Sequence, residues 1–167
     1  NLSLSEITQD TSDDINQFMS KAIDEFDCVV LDIGSVSGLS NRLTDRRWTS
    51  IVTTWCCDQA DELMITSRAD HLGHHRLVQV IDLLQQTSIR AQLSFTQNMK
   101  SSGKRGDAEM ARFLTATTAL KPIRVRSLKQ EVRSVQAAED EHATMVETNE
   151  RSHLRKAIAE LAREITS

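Results

Sequence analysis

The chain has 167 residues, of which 39% are hydrophobic and 26% are charged, and these values are ordinary for one globular domain with its own core. The formal net charge of -4 excludes an overall basic field that would attract nucleic acid to the whole protein. The longest apolar runs, such as Cys28-Val29-Val30-Leu31, are too short to cross a bilayer.

The start of the chain and its cysteines predict where the protein works. Residues 1–10 are polar and lack the apolar segment of a signal peptide. The chain begins with Asn1 rather than Met, which predicts that it is part of a longer protein. The cysteines include the adjacent pair Cys56 and Cys57, which is not the pattern of a disulfide framework. We therefore expect a reducing, cytoplasmic setting and a single domain over residues 1–167.

The first part of the chain predicts a helix followed by a strand. Apolar residues recur at three- and four-residue steps from Ile15 to Phe26, which indicates one face of a helix. Residues 12–14 offer N-caps at its start. The continuous apolar run from Cys28 to Leu31 predicts a strand that is buried on both faces and ends at Asp32.

The alternation of helices and strands continues to the end of the chain. This pattern is typical of βαβ units, whose right-handed crossovers place helices on both faces of a parallel sheet. We therefore predict an α/β fold with three layers, in which a mostly parallel sheet lies between helices. The remaining predicted elements are strands over 62–66, 91–96 and 122–125 and helices over 43–59, 72–86, 107–119, 131–138 and 152–165.

Functional side chains in such a sheet collect at the carboxyl ends of the strands, which are predicted at 32–38, 67–70, 97–104 and 126–129. The sequence Phe26-Asp27-Cys28-Val29-Val30-Leu31-Asp32 resembles the "YDxVVxD" strand of MinD/ParA-type P-loop ATPases, which belong to the SIMIBI class. In that family this is the Walker B strand, and its final aspartate holds the magnesium ion, usually through water. The resemblance therefore implies that Asp32 is the metal-binding and catalytic carboxylate.

Later segments resemble the same family in order and spacing, over about residues 14 to 166. Phe95-Thr96-Gln97-Asn98 resembles the strand that ends in "xxxNR", which implies that Asn98 reads the adenine base. Ser127 stands where the family usually has a proline after the last strand, and it is the second implied nucleotide-binding residue. The other similar segments are Ala60 to Thr66 ("ADxVxxV"), Leu77 to Leu84 ("LLDLL"), Ile123 to Ala138 ("xxLPxDxxVxxA") and the closing helix from Leu154.

The resemblance implies that the chain is the C-terminal part of an ATPase that positions or regulates cell-envelope machinery. The variants that it resembles accompany septum placement, pilus assembly and type VII secretion in actinobacteria. Such proteins bind ATP with Mg2+ and dimerise around the nucleotide. The implied partners are therefore a second copy of the chain, in a homodimer, and a protein of the envelope, secretion or division machinery.

Departures from the family pattern favour a second hypothesis. The chain has no Walker A loop, since Gly103-Lys104 has neither a glycine five residues earlier nor a following Ser or Thr. Val36 occupies the position of the glycine that follows the Walker B aspartate, and Ser127 and Lys129 replace the last Pro and Asp. We therefore expect no hydrolysis by this chain alone. The alternative is a degenerate, non-hydrolysing interaction or scaffold domain, and an unrelated α/β signalling domain is a third hypothesis.

The candidate residues also have structural interpretations. Asp32 and Asn98 are then strand-end residues that cap a loop or a turn. Lys100, Lys104 and Arg105 could touch phosphate or DNA, but no aromatic residues interleave with them, which favours a solvated loop. The apolar stripe of the final helix could bind a membrane, but the stripe is narrow and lacks aromatic residues, which favours a helix docked on the sheet.

Overall fold

The computed structural model describes residues 9–34 and 55–166. The chain divides into two compact units, one of Asn1–Leu63 with Val80–Gln92 and one of Met64–Gln79 with Leu93–Ser167. Residues 55–59 are helical, and Thr118–Leu120 form a 3-10 turn. The strands are β1 (Glu62–Arg68), β2 (Gln92–Lys100) and β3 (Arg124–Lys129). The other helices are α1 (Gln9–Glu25), α2 (His71–Gln85), α3 (Gly103–Thr117), α4 (Val132–Asp140), α5 (Met145–Thr148) and α6 (His153–Ile165).

The strands form one sheet in the order β1-β2-β3. Strands β2 and β3 are parallel, with Ser94 opposite Arg124 and Gln97 opposite Ser127. Strand β1 runs in the same direction, because the Gln92 amide donates to the carbonyl before β1 and the Ala69 amide after β1 donates to the Asn98 carbonyl. The predicted α/β class with a parallel sheet is therefore confirmed.

The core of the second unit lies around the middle strand. Phe95 of β2 and Phe113 of α3 are each 1% exposed, and their rings meet edge to face with centroids 6.5 Å apart, a favoured aromatic geometry. Leu77 of α2 is also buried. Residues 94–97 are all buried, so both faces of β2 are covered at this point.

The core of the first unit is built around α1 and the helical residues 55–59. Ile15 and Met19 are buried, as their helical spacing predicts. The Trp55 indole donates to Oδ1 of Asn16 at 2.6 Å, which ties the two helical segments together. Cys57 is fully buried, and burial raises the pKa of the neighbouring Cys56 thiol, which disfavours its thiolate form.

The predicted strand from Cys28 to Leu31 is wrong. These residues have no regular secondary structure, and Val30 is 77% exposed. An apolar run shows only a preference for burial, whereas membership of a sheet depends on pairing with distant residues. Asp32, which was expected to end that strand, therefore follows an irregular segment.

Several helix boundaries differ from their predicted positions. Helix α1 begins at Gln9, so the expected caps at 12–14 lie inside it. Helix α3 begins at Gly103 instead of Asp107, with Ser102 as N-cap. The prediction started the helix too late because the glycine-rich segment before Asp107 resembles a loop in sequence. Of the helix predicted over 43–59, residues 43–54 lie outside the described residues. None of the helices in the described ranges has both the length and the apolar character needed to cross a bilayer.

We expect Phe95→Ala to destabilise the protein by about 3–5 kcal/mol, because it removes a fully buried ring and leaves a cavity. Phe18→Ala is the matched control: that ring is 67% exposed, so its loss changes the free energy of unfolding by less than about 0.5 kcal/mol. Urea unfolding followed by circular dichroism measures both values. Equal losses for the two variants would contradict the assigned core.

Candidate functional site

The carboxyl ends of the strands meet at one edge of the sheet, in the second unit. Strand β1 ends at Arg68, and α2 begins three residues later. Oδ1 of Asp70 accepts a hydrogen bond from the Gly73 amide at 2.7 Å, which caps the helix. A Cβ atom on Gly73 would lie 2.2 Å from the Arg68 carbonyl oxygen. Only glycine therefore allows the first turn of α2 to pack on the end of β1.

The end of β2 carries a bulge at Asn98 and Met99. Gln97 pairs with Ser127, and Lys100 pairs with Lys129, so three steps along β2 match two steps along β3. Met99 has a φ of 59°, in the left-handed region that non-glycine residues rarely adopt. Oδ1 of Asn98 accepts from the Met99 amide at 2.8 Å. Bulges of this kind re-aim side chains and are common beside functional sites.

A buried carboxylate, Glu109 of α3, holds the loop that follows the bulge. Its Oε2 accepts from the Ser101 amide at 3.0 Å, and its Oε1 accepts from the Ser101 hydroxyl at 3.1 Å and from Nε of Arg105 at 3.0 Å. Burial raises the pKa of Glu109, but these hydrogen bonds outweigh burial and hold the pKa below its usual range. Glu109 is therefore ionised at neutral pH.

A second carboxylate, Glu131, joins the end of β3 to the last helix. Its Oε2 accepts from the Ser152 hydroxyl at 2.7 Å, and its Oε1 accepts from the amides of His153 and Leu154 at 3.0 and 3.2 Å. Glu131 thus satisfies the free amides at the start of α6. The hydrogen bond from Ser152 is the main reason why the pKa of Glu131 lies below its usual range, against the opposing effect of burial.

The three predicted site residues fall in different units of the chain. Asn98 and Ser127 are half-buried in the carboxyl-terminal halves of the neighbouring strands β2 and β3 in the second unit. The prediction that Ser127 follows the last strand is wrong, because β3 extends from Arg124 to Lys129 and contains it. Register places Ser127 beside Gln97, one residue before Asn98. Asp32 belongs to the first unit, where it is exposed and its Oδ1 accepts from the Gly34 amide at 3.0 Å. The sheet therefore brings Asn98 and Ser127 to one edge, and the nucleotide role of all three residues stays a prediction.

Sequence reasoning missed the two carboxylates that hold this edge. The spacing of Arg105 and Glu109 is that of an i,i+4 pair on a helix, so a salt bridge was predictable, but the burial of Glu109 was not. Gly106 in the first turn of α3 was a second signal. A Cβ atom there would lie 1.8 Å from the Ser101 carbonyl oxygen, so α3 packs directly on the loop. Glu131 accepts from Ser134 in its own helix turn, but its other three donors are 21 to 23 residues away, so its link to the last helix has no local signal.

Within residues 9–34 and 55–166, no group of three or more His, Cys, Asp or Glu side chains is arranged as a metal site. No protein-family model matches the chain, and no characterised protein matches its sequence. The likeness to MinD/ParA-type ATPases therefore rests on the motifs quoted above.

We expect Glu131→Gln to lower the free energy of unfolding by about 1–3 kcal/mol at pH 7, because an amide replaces a charged acceptor of four hydrogen bonds. Since the pKa of Glu131 is lowered on folding, its stabilisation is complete above the ordinary value of 4.5 and is lost as pH falls through the folded value. The difference from wild type should therefore shrink below about pH 4.5. Urea unfolding at pH 7, 5, 4 and 3 tests this.

The matched control for that series is Glu139→Gln, which changes an exposed glutamate of α4. It should alter stability by less than about 0.5 kcal/mol. A difference for Glu131→Gln that is the same at every pH would contradict the assigned role of its charge.

Proposed function

We propose that this chain is the base-binding, C-terminal part of a MinD/ParA-like ATPase, in which Asn98 and Ser127 contact the adenine of ATP. The observation that carries the proposal is the bulge at the end of β2, the middle strand of a parallel sheet. Ligands of open parallel sheets bind outside the carboxyl ends of the strands. Asn98 lies at that place, in the segment whose sequence resembles the base-reading strand of the family.

The chemistry of the Asn98 side chain supports a base-binding role. Its Oδ1 accepts one hydrogen bond, from Met99, and a carboxamide oxygen has a second lone pair. Its Nδ2 is not engaged by any residue in the described ranges. The group is therefore able to donate to a ring nitrogen of adenine and to accept from its amino group. Ser127 adds a hydroxyl on the neighbouring strand.

The proposal assigns the phosphates and the metal to other parts of the longer protein. In that protein a preceding segment would supply the P-loop, and Asp32 is the residue that would hold Mg2+. A single exposed carboxylate fits this role, because Mg2+ is usually bound by one or two carboxylates together with phosphates and water. When bound, the metal neutralises phosphate charge. Asp32 contributes its carboxylate to that metal, while Asn98 and Ser127 orient the base.

The complete protein is then a cytoplasmic, P-loop NTPase-like fold with helices on both faces of its sheet. It forms a nucleotide-dependent homodimer and acts on a protein of the septum, pilus or secretion machinery. Neither DNA nor membrane contact is part of this proposal.

A specific observation favours the alternative, a non-hydrolysing interaction or scaffold domain. The segment that resembles the Walker B strand is irregular, and its apolar side chains at Val30 and Leu31 are exposed. Oδ1 of Asp32 is already engaged by the Gly34 amide. An ATPase needs this carboxylate on the metal, whereas a scaffold can use the exposed apolar segment to contact another protein.

In the longer protein that carries the P-loop, we expect Asn98→Ala to weaken ATP binding roughly ten-fold, because two hydrogen bonds to the base are lost. The matched control is Gln92→Ala, which removes an exposed carboxamide at the opposite end of the same strand and should leave affinity unchanged. Titration of ATP followed by amide chemical shifts measures both. Equal effects of the two variants on ATP affinity would refute base recognition here.

Hydrolysis separates the two hypotheses. In the longer protein that carries the P-loop, Asp32→Asn should reduce phosphate release by about 100-fold or more, while ATP binding changes little, because the neutral amide no longer holds the metal. Asp27→Asn, an exposed aspartate of the same segment, is the control. An active protein that is insensitive to Asp32→Asn would remove Asp32 from the mechanism, and a protein that binds ATP without hydrolysis would favour the scaffold.

A further inference from the structure

We infer that Glu109 is a positioning residue at the carboxyl edge of the sheet. It holds the bulge of β2 in the one conformation that presents the Asn98 side chain to a ligand. Its effect on base recognition rests on the proposed function, whereas its effect on the conformation of Asn98 does not.

Glu109 contacts the chain on both sides of the bulge. Before the bulge, Nε2 of Gln97 donates to the backbone carbonyl of Glu109 at 3.1 Å. After the bulge, the amide and hydroxyl of Ser101 both donate to its carboxylate. Asn98, Met99 and Lys100 lie between these two attachments. One residue of α3 therefore fixes both flanks of the segment that carries Asn98.

The bulge needs such external support. A non-glycine residue in the left-handed region costs about 1–3 kcal/mol and persists only where its surroundings enforce it. Met99 is such a residue, and its amide is the donor to Asn98 Oδ1. If the flanks were released, Met99 would relax toward an extended conformation. The hydrogen bond that orients the Asn98 amide would then be lost.

The function of residue 109 requires a carboxylate and not merely a polar side chain. The side chain is 3% exposed, and each group that approaches it, from Ser101 and Arg105, is a donor. A glutamine there has the same shape but turns an NH2 group toward one of these donors. Its one remaining acceptor is unable to satisfy all of them, and an unpaired buried group is costly.

The packing of α3 brings the carboxylate to this position. Gly106 allows the first turn of the helix to rest on the Ser101 carbonyl, and Lys100 forms an ion pair with Asp107 at 3.5 Å. Glu109 lies one turn further along the same helix. The position of the Glu109 carboxylate therefore follows from the packing of α3 and does not depend on a bound ligand.

The test is a measurement on the 167-residue chain without nucleotide. In Glu109→Gln we expect hydrogen exchange of the Met99 amide to accelerate roughly ten-fold, and the side-chain amide resonances of Asn98 to shift. Glu160→Gln, an exposed glutamate of α6, is the control and should leave both signals unchanged. Unchanged Met99 exchange in a folded Glu109→Gln protein would overturn the inference.

A second variant keeps the test decisive if Glu109→Gln does not fold. Ser101→Ala removes one donor to the carboxylate and preserves the backbone amide, so the fold should persist while Met99 exchange accelerates roughly three-fold. Protection of Met99 that equals wild type in Ser101→Ala would also overturn the inference. Far-UV circular dichroism establishes which variants are folded.

Nucleoside titrations separate this inference from the proposed function. If both hold, the wild type prefers adenosine to inosine, which lacks the amino group of the base, and Glu109→Gln reduces that preference roughly five-fold or more. If the Met99 and Asn98 signals change in Glu109→Gln but the wild type shows no preference for adenosine over inosine, the positioning role stands and base recognition falls. If the wild type shows the preference and Glu109→Gln retains it in full, the positioning role falls.

Discussion

A buried negative charge is the constraint on which the end of the middle strand depends. Moving a carboxylate out of water costs several kcal/mol, and only hydrogen bonds and an opposite charge offset that cost. Glu109 receives donors from Ser101 and Arg105, so each of these groups must stay in place for the charge to be tolerated. The loop after β2 and the first turn of α3 are therefore ordered together.

Carboxylates that bind donors or opposite charges also hold the last helix, α6, near both of its ends. Near its start, α6 gives two amides and the Ser152 hydroxyl to Glu131, which directly precedes α4. Near its end, Glu164 pairs with Arg126 and lies 3.7 Å from Arg124, both on β3. The carboxylates of Glu131 and Glu164 thus hold α6 along strand β3. This explains why a strongly amphipathic helix is docked on the sheet, as the structural interpretation of its sequence predicted.

The sequence predicted local elements better than their long-range contacts. Helix α2 and strands β1 and β2 were found because apolar periodicity and turn residues mark them locally. The prediction of a strand from Cys28 to Leu31 was wrong because a short segment shows its apolar character but does not show whether it pairs with another strand. The start of α3 was missed because Gly103 and Gly106 suggest a loop, whereas Gly106 is required by the contact with Ser101.

The candidate site was predictable to a similar extent. Parallel topology alone brings Asn98 and Ser127 near the same edge of the sheet, because carboxyl ends of parallel strands lie together, although Ser127 was expected after β3 and lies inside it. The bulge that distinguishes Asn98 from an ordinary strand residue depends on the left-handed Met99 and on a buried glutamate eleven residues later. The sequence signals near Glu109, its i,i+4 spacing from Arg105 and the glycine at 106, do not show that its carboxylate is buried, so this support was visible only in three dimensions.

Base contacts alone bind a nucleotide weakly, and this limits what the edge contributes. A net hydrogen bond is worth about 0.5–1.5 kcal/mol, whereas even millimolar affinity requires about 4 kcal/mol. The charge of ATP lies on its phosphates, and a P-loop and a metal supply most of the attraction to them. Under the proposed function, selection of the base and strength of binding are therefore separate properties of the protein. The bulge held by Glu109 determines which base is selected and does not add to the strength of binding.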